Sequence, residues 1–225
     1  MLTRFVLAAL LAFAVPVAAQ VVPPAAPPPP APVITAPLPH VEITTSAGKI
    51  VIRLESKRAP KSVANFLRYV DAKRYDGGEF YRSTQSWGPG AGLVQGGSSP
   101  KALRFPPVAH EPTSGSGLTH CVGALSMARG APGSATSDFF VMLSPIADFD
   151  AKAAPGDPGF AVFGEVVAGM DVVQAIYASP VDPAKGDGAM KGQMITPPVK
   201  ILTMRRTLPS VDLTNPPKSC FAAPK

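Results

Sequence analysis

The side chains best suited to chemistry in this sequence are one cation, one amide and several aromatic rings, carried by five short motifs. In chain order the motifs are Phe80-Tyr81-Arg82, Gln95-Gly96-Gly97, Leu125-Ser126-Met127-Ala128-Arg129, Ser137-Asp138-Phe139-Phe140 and Phe160-Ala161-Val162-Phe163-Gly164. Each motif alone is a weak signal. Together, on neighbouring strands, they predict a site that grips an apolar ring such as that of proline and does not need a nucleophile.

The period of a β-strand predicts which of these side chains share a face. Residues two apart point the same way, so we expect Phe80 and Arg82 to share one face and Asp138 and Phe140 to share another. Bringing the two faces together places an apolar floor, Phe140, beside the Arg82 guanidinium. The backbone at Ala128-Arg129 offers a stretch with which an extended peptide could pair edge to edge.

A cation beside an apolar pocket can accelerate one reaction without a metal, a nucleophile or a proton transfer. A peptide bond rotates slowly because resonance gives it double-bond character, with a barrier of ~18–20 kcal/mol. For a bond that precedes proline the two isomers are close in energy, so the barrier limits their exchange. Rotation localises a lone pair on the proline nitrogen. A cation such as Arg82, placed to donate to that nitrogen, binds the twisted state better than either planar state.

The other reactive side chains do not suggest a site of a different kind. His40, His110 and His120 show no metal-ligand spacing with one another or with the cysteines, so we expect no metal. We also expect no base partnered with Ser126 or Ser137, and the sequence has no Gly-x-Ser-x-Gly elbow. A hydrolase is therefore not supported.

Two segments show the period of an amphipathic helix. The first begins at Pro60, a residue suited to the first helical position. Its apolar residues recur at i, i+3, i+4 and i+7, as Val63, Phe66, Leu67 and Val70. The second helix is predicted over Met170–Tyr177, where we expect Val173 and Ile176 to face inward.

The remaining apolar segments alternate as strands do. The strand candidates are Val41–Thr45, Ile50–Leu54, Glu79–Ser83, Leu93–Gly96, Cys121–Ala128, Asp138–Leu143, Phe160–Val166 and Val199–Arg206. Eight strands with two helices at separated positions do not form an alternating βαβ pattern. We therefore expect a mainly β fold, a closed eight-stranded antiparallel β-barrel capped by two α-helices.

The two ends of the chain differ from its middle. Residues 1–19 carry one charge, an apolar run and small residues before Gln20, which predicts a secretory signal peptide and a periplasmic or secreted protein. The apolar run is too short to span ~30 Å of hydrocarbon, so we expect no stable membrane span after cleavage. Residues 20–40 form a proline-rich linker, since nine of the twenty residues from Val21 to His40 are proline. Residues 41–207 suit one domain, and residues 208–225 suit an extended tail.

Charge, cysteine content and the sequence as a whole lead to expectations about nucleic acid binding, a disulfide and oligomeric state. Lys and Arg exceed Asp and Glu by six, but they are scattered, so we expect no nucleic acid partner. Cys121 and Cys220 are the only cysteines, and in an exported chain they could form a disulfide that staples the tail to the domain or remain two separate thiols. Nothing in the sequence demands more than a monomer.

At these motifs the chain resembles a cyclophilin-type peptidyl-prolyl cis–trans isomerase of the exported bacterial kind. The resemblance covers about Val41 to Thr207 and includes the helix segment Ala59-Pro60-Lys61-Ser62-Val63-Ala64-Asn65-Phe66. It also includes the Gln-Gly-Gly step and the Val-Phe-Gly that precedes the second helix. The resemblance implies a cyclophilin-like barrel with two capping helices, no cofactor, and exported proline-containing proteins, unfolded or partly folded, as substrates.

The resemblance also implies roles for individual residues. Arg82 falls on the catalytic arginine, and Gln95 falls on the glutamine that bonds the substrate carbonyl and steadies that arginine. Phe140 falls on the floor of the proline pocket and Leu93 on an aliphatic wall of it. The Ala128-Arg129 segment falls on the backbone that pairs with the substrate.

The chain departs from the family pattern around the pocket. The loop between Arg82 and Gln95 is longer than usual. It contains Trp87, which could take the place of an aromatic residue that is usual at Gly92. Tyr81 replaces a histidine, on a face that we expect to be structural. Two further substitutions lie at the pocket rim. Asp148 stands where an aromatic is usual, with Phe149 beside it, and Phe160 stands where some members carry a histidine. We expect Phe149 and Phe160 to contribute to substrate binding.

Asp138 replaces a glutamine of the family pattern and leaves two functional alternatives open. Its carboxylate could pair with Arg82 and orient it, or could weaken the field of that arginine. The first alternative is an isomerase that acts on exported proteins during folding, which Arg82 and Gln95 favour. The second is a proline-peptide binding module or holdase with little turnover, which Asp138 and the long loop favour.

Overall fold

Alternating apolar residues form nine β-strands in the described central part of the chain. The structure is a computed structural model that describes residues 37–84, 88, 90–153, 156–208, 219 and 221. The strands are β1 (His40–Thr45), β2 (Gly48–Leu54), β3 (Glu79–Thr84), β4 (Leu93–Gly97), β5 (Ala124–Met127), β6 (Phe139–Met142), β7 (Ala161–Ala168), β8 (Val181–Asp182) and β9 (Met194–Thr207). The helices are α1 (Pro60–Asp71), α2 (Thr113–Ser116) and α3 (Met170–Tyr177). The predicted signal peptide, the linker up to residue 36, Trp87 and Cys220 lie outside the described residues.

Eight of the strands close into a barrel. Their order is β1-β2-β7-β5-β6-β4-β3-β9, every neighbouring pair is antiparallel, and β9 pairs back with β1. The two-residue strand β8 adds to β9 outside this ring. The expected closed eight-stranded antiparallel barrel is thus confirmed. Closure lets the two edges of the sheet satisfy each other's backbone groups.

The two predicted helices are confirmed, and a third, short helix was not expected. α1 packs against β7 and β9, and α3 packs against β2, β3 and β4. Val173 and Ile176 of α3 are fully buried, as the period predicts. The four-residue helix α2 has no apolar repeat that the sequence could have revealed. None of the described helices is both long enough and apolar enough to cross a membrane.

α1 begins at Pro60 as expected, but its first turn is capped by a distant residue. Ala59, at the N-cap position, has no side chain that could accept a bond. The Glu111 carboxylate accepts instead from the backbone N–H groups of Lys61 (3.0 Å) and Ser62 (2.7 Å). A carboxylate at this end also interacts favourably with the helix dipole.

An aromatic cluster fills the barrel beneath α1. Phe66 lies 5.1 Å from Tyr75, 5.6 Å from Phe139 and 5.2 Å from Phe163, between ring centroids. Phe80 contacts Phe139 edge to face at 5.7 Å. All five side chains are fully buried. Phe139 therefore belongs to the core, which leaves its neighbour on β6 to face the opposite side.

Two strand boundaries differ from the prediction. Cys121 was expected inside a strand, but it precedes a turn at Gly123, whose φ of 81° is left-handed, and β5 begins only at Ala124. A left-handed residue interrupts strand pairing, which explains the later start. β9 begins at Met194 rather than near Val199, because its first residues pair with β8 and with β3.

The described residues of the C-terminal tail contact the barrel. The Ser219 hydroxyl donates to the Glu165 carboxylate at 2.8 Å. The Phe221 ring is buried and lies 5.3 Å from the Arg58 guanidinium, a cation–π distance. This part of the tail, which we expected to be extended, is therefore packed against the domain.

Cys121 is disulfide-bonded, and Cys220, the partner that the sequence offers, lies outside the described residues. The pairing of the two stays a prediction. A bond between them closes a loop of about 100 residues, and a disulfide typically contributes ~2–4 kcal/mol of stability. We expect reduction to lower the melting temperature by several degrees and to expose the tail to protease. The measurement is a thermal melt with and without reductant, and titratable thiols in the non-reduced, denatured protein would contradict the pairing.

Candidate active site

A cavity of about 540 Å³ lies beside the strands β3, β4 and β6. Its lining includes every residue that the sequence predicts for catalysis or substrate binding. These are Arg82, Leu93, Gln95, Ala128, Arg129, Asp138, Phe140, Phe149 and Phe160. The structure thus brings together residues that are spread over nearly eighty positions of the chain. Their individual roles stay predictions.

A bulge in β3 overturns the expected arrangement of the first motif. Phe80 pairs with Gly96 and Arg82 pairs with Gln95, so Tyr81 is an extra residue without an opposite partner. An extra residue breaks the alternation of faces. Phe80 consequently points into the core, whereas both Tyr81 and Arg82 line the cavity. The prediction that Phe80 and Arg82 share a face is therefore wrong.

Two glutamine side chains hold the Arg82 guanidinium. Its Nε donates to the Oε1 atom of Gln193 at 2.8 Å, and its Nη1 donates to the Oε1 atom of Gln95 at 2.9 Å. Burial lowers the pKa of Arg82, but an arginine stays charged in proteins. The two bonds use two of the five N–H donors and fix the plane of the fork. Gln193 could not be predicted from the sequence, because it lies in no recognisable motif.

Asp138 contacts the catalytic candidates only through intermediates. One carboxylate oxygen accepts from the Arg104 guanidinium at 2.9 Å, and the other accepts from the Tyr81 hydroxyl at 3.1 Å. The direct pair with Arg82, which was one of two expectations for Asp138, is not formed among the described contacts. Tyr81 in turn accepts from the Gln95 Nε2 at 2.7 Å. The prediction that Tyr81 lies on a purely structural face is therefore wrong, because its hydroxyl belongs to the site.

Three aromatic rings form the apolar part of the cavity. Phe140 lies 5.7 Å from Phe149 and 5.4 Å from Phe160, edge to face in both pairs, and the latter two rings are 5.0 Å apart. Leu93 is almost fully buried beside them. An apolar concavity of this kind suits a small saturated ring such as that of proline.

The imidazole of His120 lies behind these rings. It stacks on Phe140 with a centroid distance of 6.0 Å and an interplanar angle of 16°. Its Nδ1 donates to Asp150 at 2.7 Å, and its Nε2 accepts from the Ser126 hydroxyl at 3.0 Å. A carboxylate only accepts, which fixes this tautomer. Burial lowers the pKa of His120, so the ring stays neutral near pH 7.

This contact corrects the expectation that Ser126 has no partnered base. The Ser126, His120 and Asp150 side chains form the order of contacts that activates a serine nucleophile. However, Ser126 is 0% exposed and pairs across the sheet with Phe140. A hydroxyl that a substrate cannot reach cannot attack it. The three residues support the pocket floor and do not make a hydrolytic site.

The rim beside β5 is partly occupied by internal bonds. The backbone N–H of Ala128 donates to the Asp138 carbonyl at 2.9 Å, so this group is not available to a substrate strand. The Arg129 guanidinium donates to the Gly159 carbonyl at 3.0 Å and lies 4.8 Å from the Phe160 ring. Any edge-to-edge pairing with a substrate must therefore use the other backbone groups of this segment.

The position that usually carries an aromatic residue is closed by backbone. A Cβ atom on Gly92 would lie 1.8 Å from the Thr84 carbonyl oxygen, which no side chain tolerates. Trp87, the aromatic residue that the sequence offers for this position, lies outside the described residues. Met190 and Met194, just before and at the start of β9, line the cavity instead. Neither methionine could be predicted from the sequence, because a flexible methionine side chain carries no positional signal.

Within the described part of the chain, no group of three or more His, Cys, Asp or Glu side chains could hold a metal ion. The polar groups of the cavity are instead one clamped cation and neutral or paired donors and acceptors. Such a set can stabilise a developing lone pair beside a held ring.

The sequence matches the family model described as cyclophilin type peptidyl-prolyl cis-trans isomerase/CLD over residues 40–206. It is 41% identical over 142 residues to peptidyl-prolyl cis-trans isomerase A of Dickeya dadantii, covering 61% of this chain and 70% of that protein. It is 36% identical over 152 residues to peptidyl-prolyl cis-trans isomerase cyp18 of Streptomyces antibioticus, covering 65% of this chain and 87% of that protein.

The fold is also similar to a solved structure. A cyclophilin type peptidyl-prolyl cis-trans isomerase of Cryptosporidium parvum superposes with a TM-score of 0.59 at 20% identity, covering 76% of this chain and 98% of that chain. At this identity the similarity supports the fold alone.

Proposed function

The chain belongs to the cyclophilin-type peptidyl-prolyl cis-trans isomerases, and we propose that it accelerates Xaa-Pro rotation in exported proteins while they fold. Isomerase activity follows from the family and from relatives that carry this name at up to 41% identity. Proline-containing peptides are accordingly its substrates. The exported context, the folding role and a monomeric state are the proposed part.

One observation carries the catalytic assignment within that proposal. The clamped guanidinium of Arg82 and the buried ring of Phe140 line the same cavity. In this proposal the ring of a substrate proline packs against Phe140, and the guanidinium of Arg82 keeps N–H donors that Gln95 and Gln193 do not use. We propose that these donors address the substrate amide as it twists.

The proposed mechanism needs only differential binding. In the planar amide the nitrogen lone pair is delocalised and accepts poorly. As the bond twists, the lone pair localises and becomes a better acceptor for the Arg82 fork. An interaction that strengthens only in the twisted state lowers the barrier without tightening the ground state. The aromatic pocket holds the ring while the preceding residue turns, which supplies orientation.

The contacts of Asp138 weaken the case for a binding module without turnover. That alternative rested partly on an acid that damps the field of Arg82. In the structure, the Asp138 carboxylate is paired with Arg104 and bonded to Tyr81. The Asp138 carboxylate thus forms its ion pair with Arg104, and in our proposal the field of the Arg82 guanidinium remains available for catalysis.

The exported location is supported by the sequence signals of residues 1–40, and it leads to a test. We expect the mature chain to begin near Gln20 and to fractionate with the cell envelope or the medium. Cleavage by signal peptidase removes the apolar run, and the proline-rich residues then stand before the barrel in the mature chain. N-terminal sequencing of protein from fractionated cells makes the measurement. An intact Met1 recovered from the cytosol would contradict the location while leaving the isomerase activity untouched.

A further inference from the structure

A continuous hydrogen-bond chain runs from the edge of the cavity to the catalytic candidate. Arg104 donates to Asp138, Tyr81 donates to Asp138, Gln95 donates to Tyr81, and Arg82 donates to Gln95. The three last distances are 3.1, 2.7 and 2.9 Å. Each contact is short enough for a hydrogen bond. The bulge in β3 is what makes the chain possible, because it turns Tyr81 into the cavity.

The direction of every hydrogen bond from Tyr81 to Arg82 follows from the negative charge of the Asp138 carboxylate. The Asp138 carboxylate only accepts, so the Tyr81 hydroxyl must donate its one proton to it. The oxygen of Tyr81 is then left to accept, which selects the NH₂ end of the Gln95 amide. The amide oxygen of Gln95 consequently faces Arg82. With the amide reversed, its NH₂ group would oppose the guanidinium donors.

Resting on the proposed function, we infer that Tyr81 and Asp138 are positioning residues that set the orientation of the Gln95 amide and thereby hold Arg82 for catalysis. Neither side chain needs to touch the reacting amide. Burial raises the pKa of Tyr81 further above its ordinary value, so the hydroxyl keeps its proton and its donor role. Arg104 and the Ser137 hydroxyl hold the other oxygen of Asp138.

The first test is Tyr81→Phe, which removes the hydroxyl and preserves the ring. We expect kcat for a proline peptide to fall about fivefold to tenfold, the rate equivalent of one hydrogen bond, with KM little changed. Asp138→Asn should also lower kcat, because the amide NH₂ at this position can donate to the Tyr81 hydroxyl and thereby reverse the direction of the hydrogen bonds. Tyr177→Phe is the matched control, since its hydroxyl donates to the Ala91 carbonyl and does not line the cavity.

A double-mutant cycle separates positioning from a general structural effect. If Tyr81 acts through Gln95, then Tyr81→Phe should change kcat by less than about twofold in a Gln95→Ala background, because the interaction that it supports is already gone. Equal losses in the two backgrounds, or a Tyr81→Phe enzyme with wild-type kcat, would overturn the inference.

A spectroscopic readout keeps this inference distinct from the proposed function. In ¹H–¹⁵N spectra of the full chain, the Nε2 proton of Gln95 that is donated to Tyr81 should be shifted downfield of its ordinary position. Tyr81→Phe should return this proton toward its ordinary position. A wild type without isomerase activity that still shows this change would refute the function but keep the positioning. An active wild type whose Gln95 resonances do not change in Tyr81→Phe would keep the function and refute the positioning role.

Discussion

Arg82→Ala is expected to lower kcat for Xaa-Pro isomerisation by about 10²–10³, the usual cost of losing one preorganised donor to a transition state. The guanidinium is held by Gln193 and Gln95 before substrate arrives, so little reorganisation is needed when the amide twists. KM should change much less, because the planar amide accepts poorly from the same donors. The measurement is a protease-coupled isomerisation assay on a short proline peptide, with a thermal melt of each variant.

Two comparisons make this result specific. Arg82→Lys should recover only part of the activity, because an ammonium lacks the planar fork that can address a glutamine and a substrate together. Arg205→Ala removes an arginine that pairs with Asp76 and does not line the cavity, so its kcat should match the wild type. Full activity in Arg82→Ala would overturn the mechanism, and an inactive wild type would instead favour a binding module.

The barrel and its two main helices could be predicted because their signals are local. The spacing of Val63, Phe66 and Val70 fixes one face of α1, and each is buried as expected. Alternation along β6 likewise predicts that Phe139 and Phe140 face opposite sides, and the family resemblance assigns Phe140 to the pocket. It failed along β3, where the bulge at Tyr81 is set by pairing with β4 and has no counterpart in the local sequence.

The missed residues of the site have a shared physical reason. Gln193, Arg104 and His120 contact residues of the cavity lining from segments that approach it only after the barrel closes. Each contact joins residues far apart in the chain or lies beneath the surface of the pocket, as the stacking of His120 on Phe140 does. Spacing within one segment cannot report such contacts, whereas a family motif reports only the positions that it contains.

A comparison of Phe140→Ala with Phe139→Ala should distinguish a ring that binds substrate from a ring that only fills the core. Phe140 faces Phe149, Phe160 and His120, whereas Phe139 faces the core, and both are almost fully buried. Removing either ring should cost about 3–5 kcal/mol of stability, because a buried phenylalanine leaves a cavity that closes only partly.

The two variants should differ in their effect on substrate. Phe140→Ala removes the ring that we propose as the floor of the proline pocket, and burial of a side chain of that size contributes ~1.5 kcal/mol or more, so KM should rise about tenfold. Phe139→Ala should leave KM near the wild-type value, since its ring does not line the cavity. The assay is run below the melting temperature of both variants, with Phe→Leu at each position as a milder pair. A rise in KM of the same size at both positions would show that destabilisation, not loss of the floor, weakens binding, and Phe140 would then lose its place in the proline pocket.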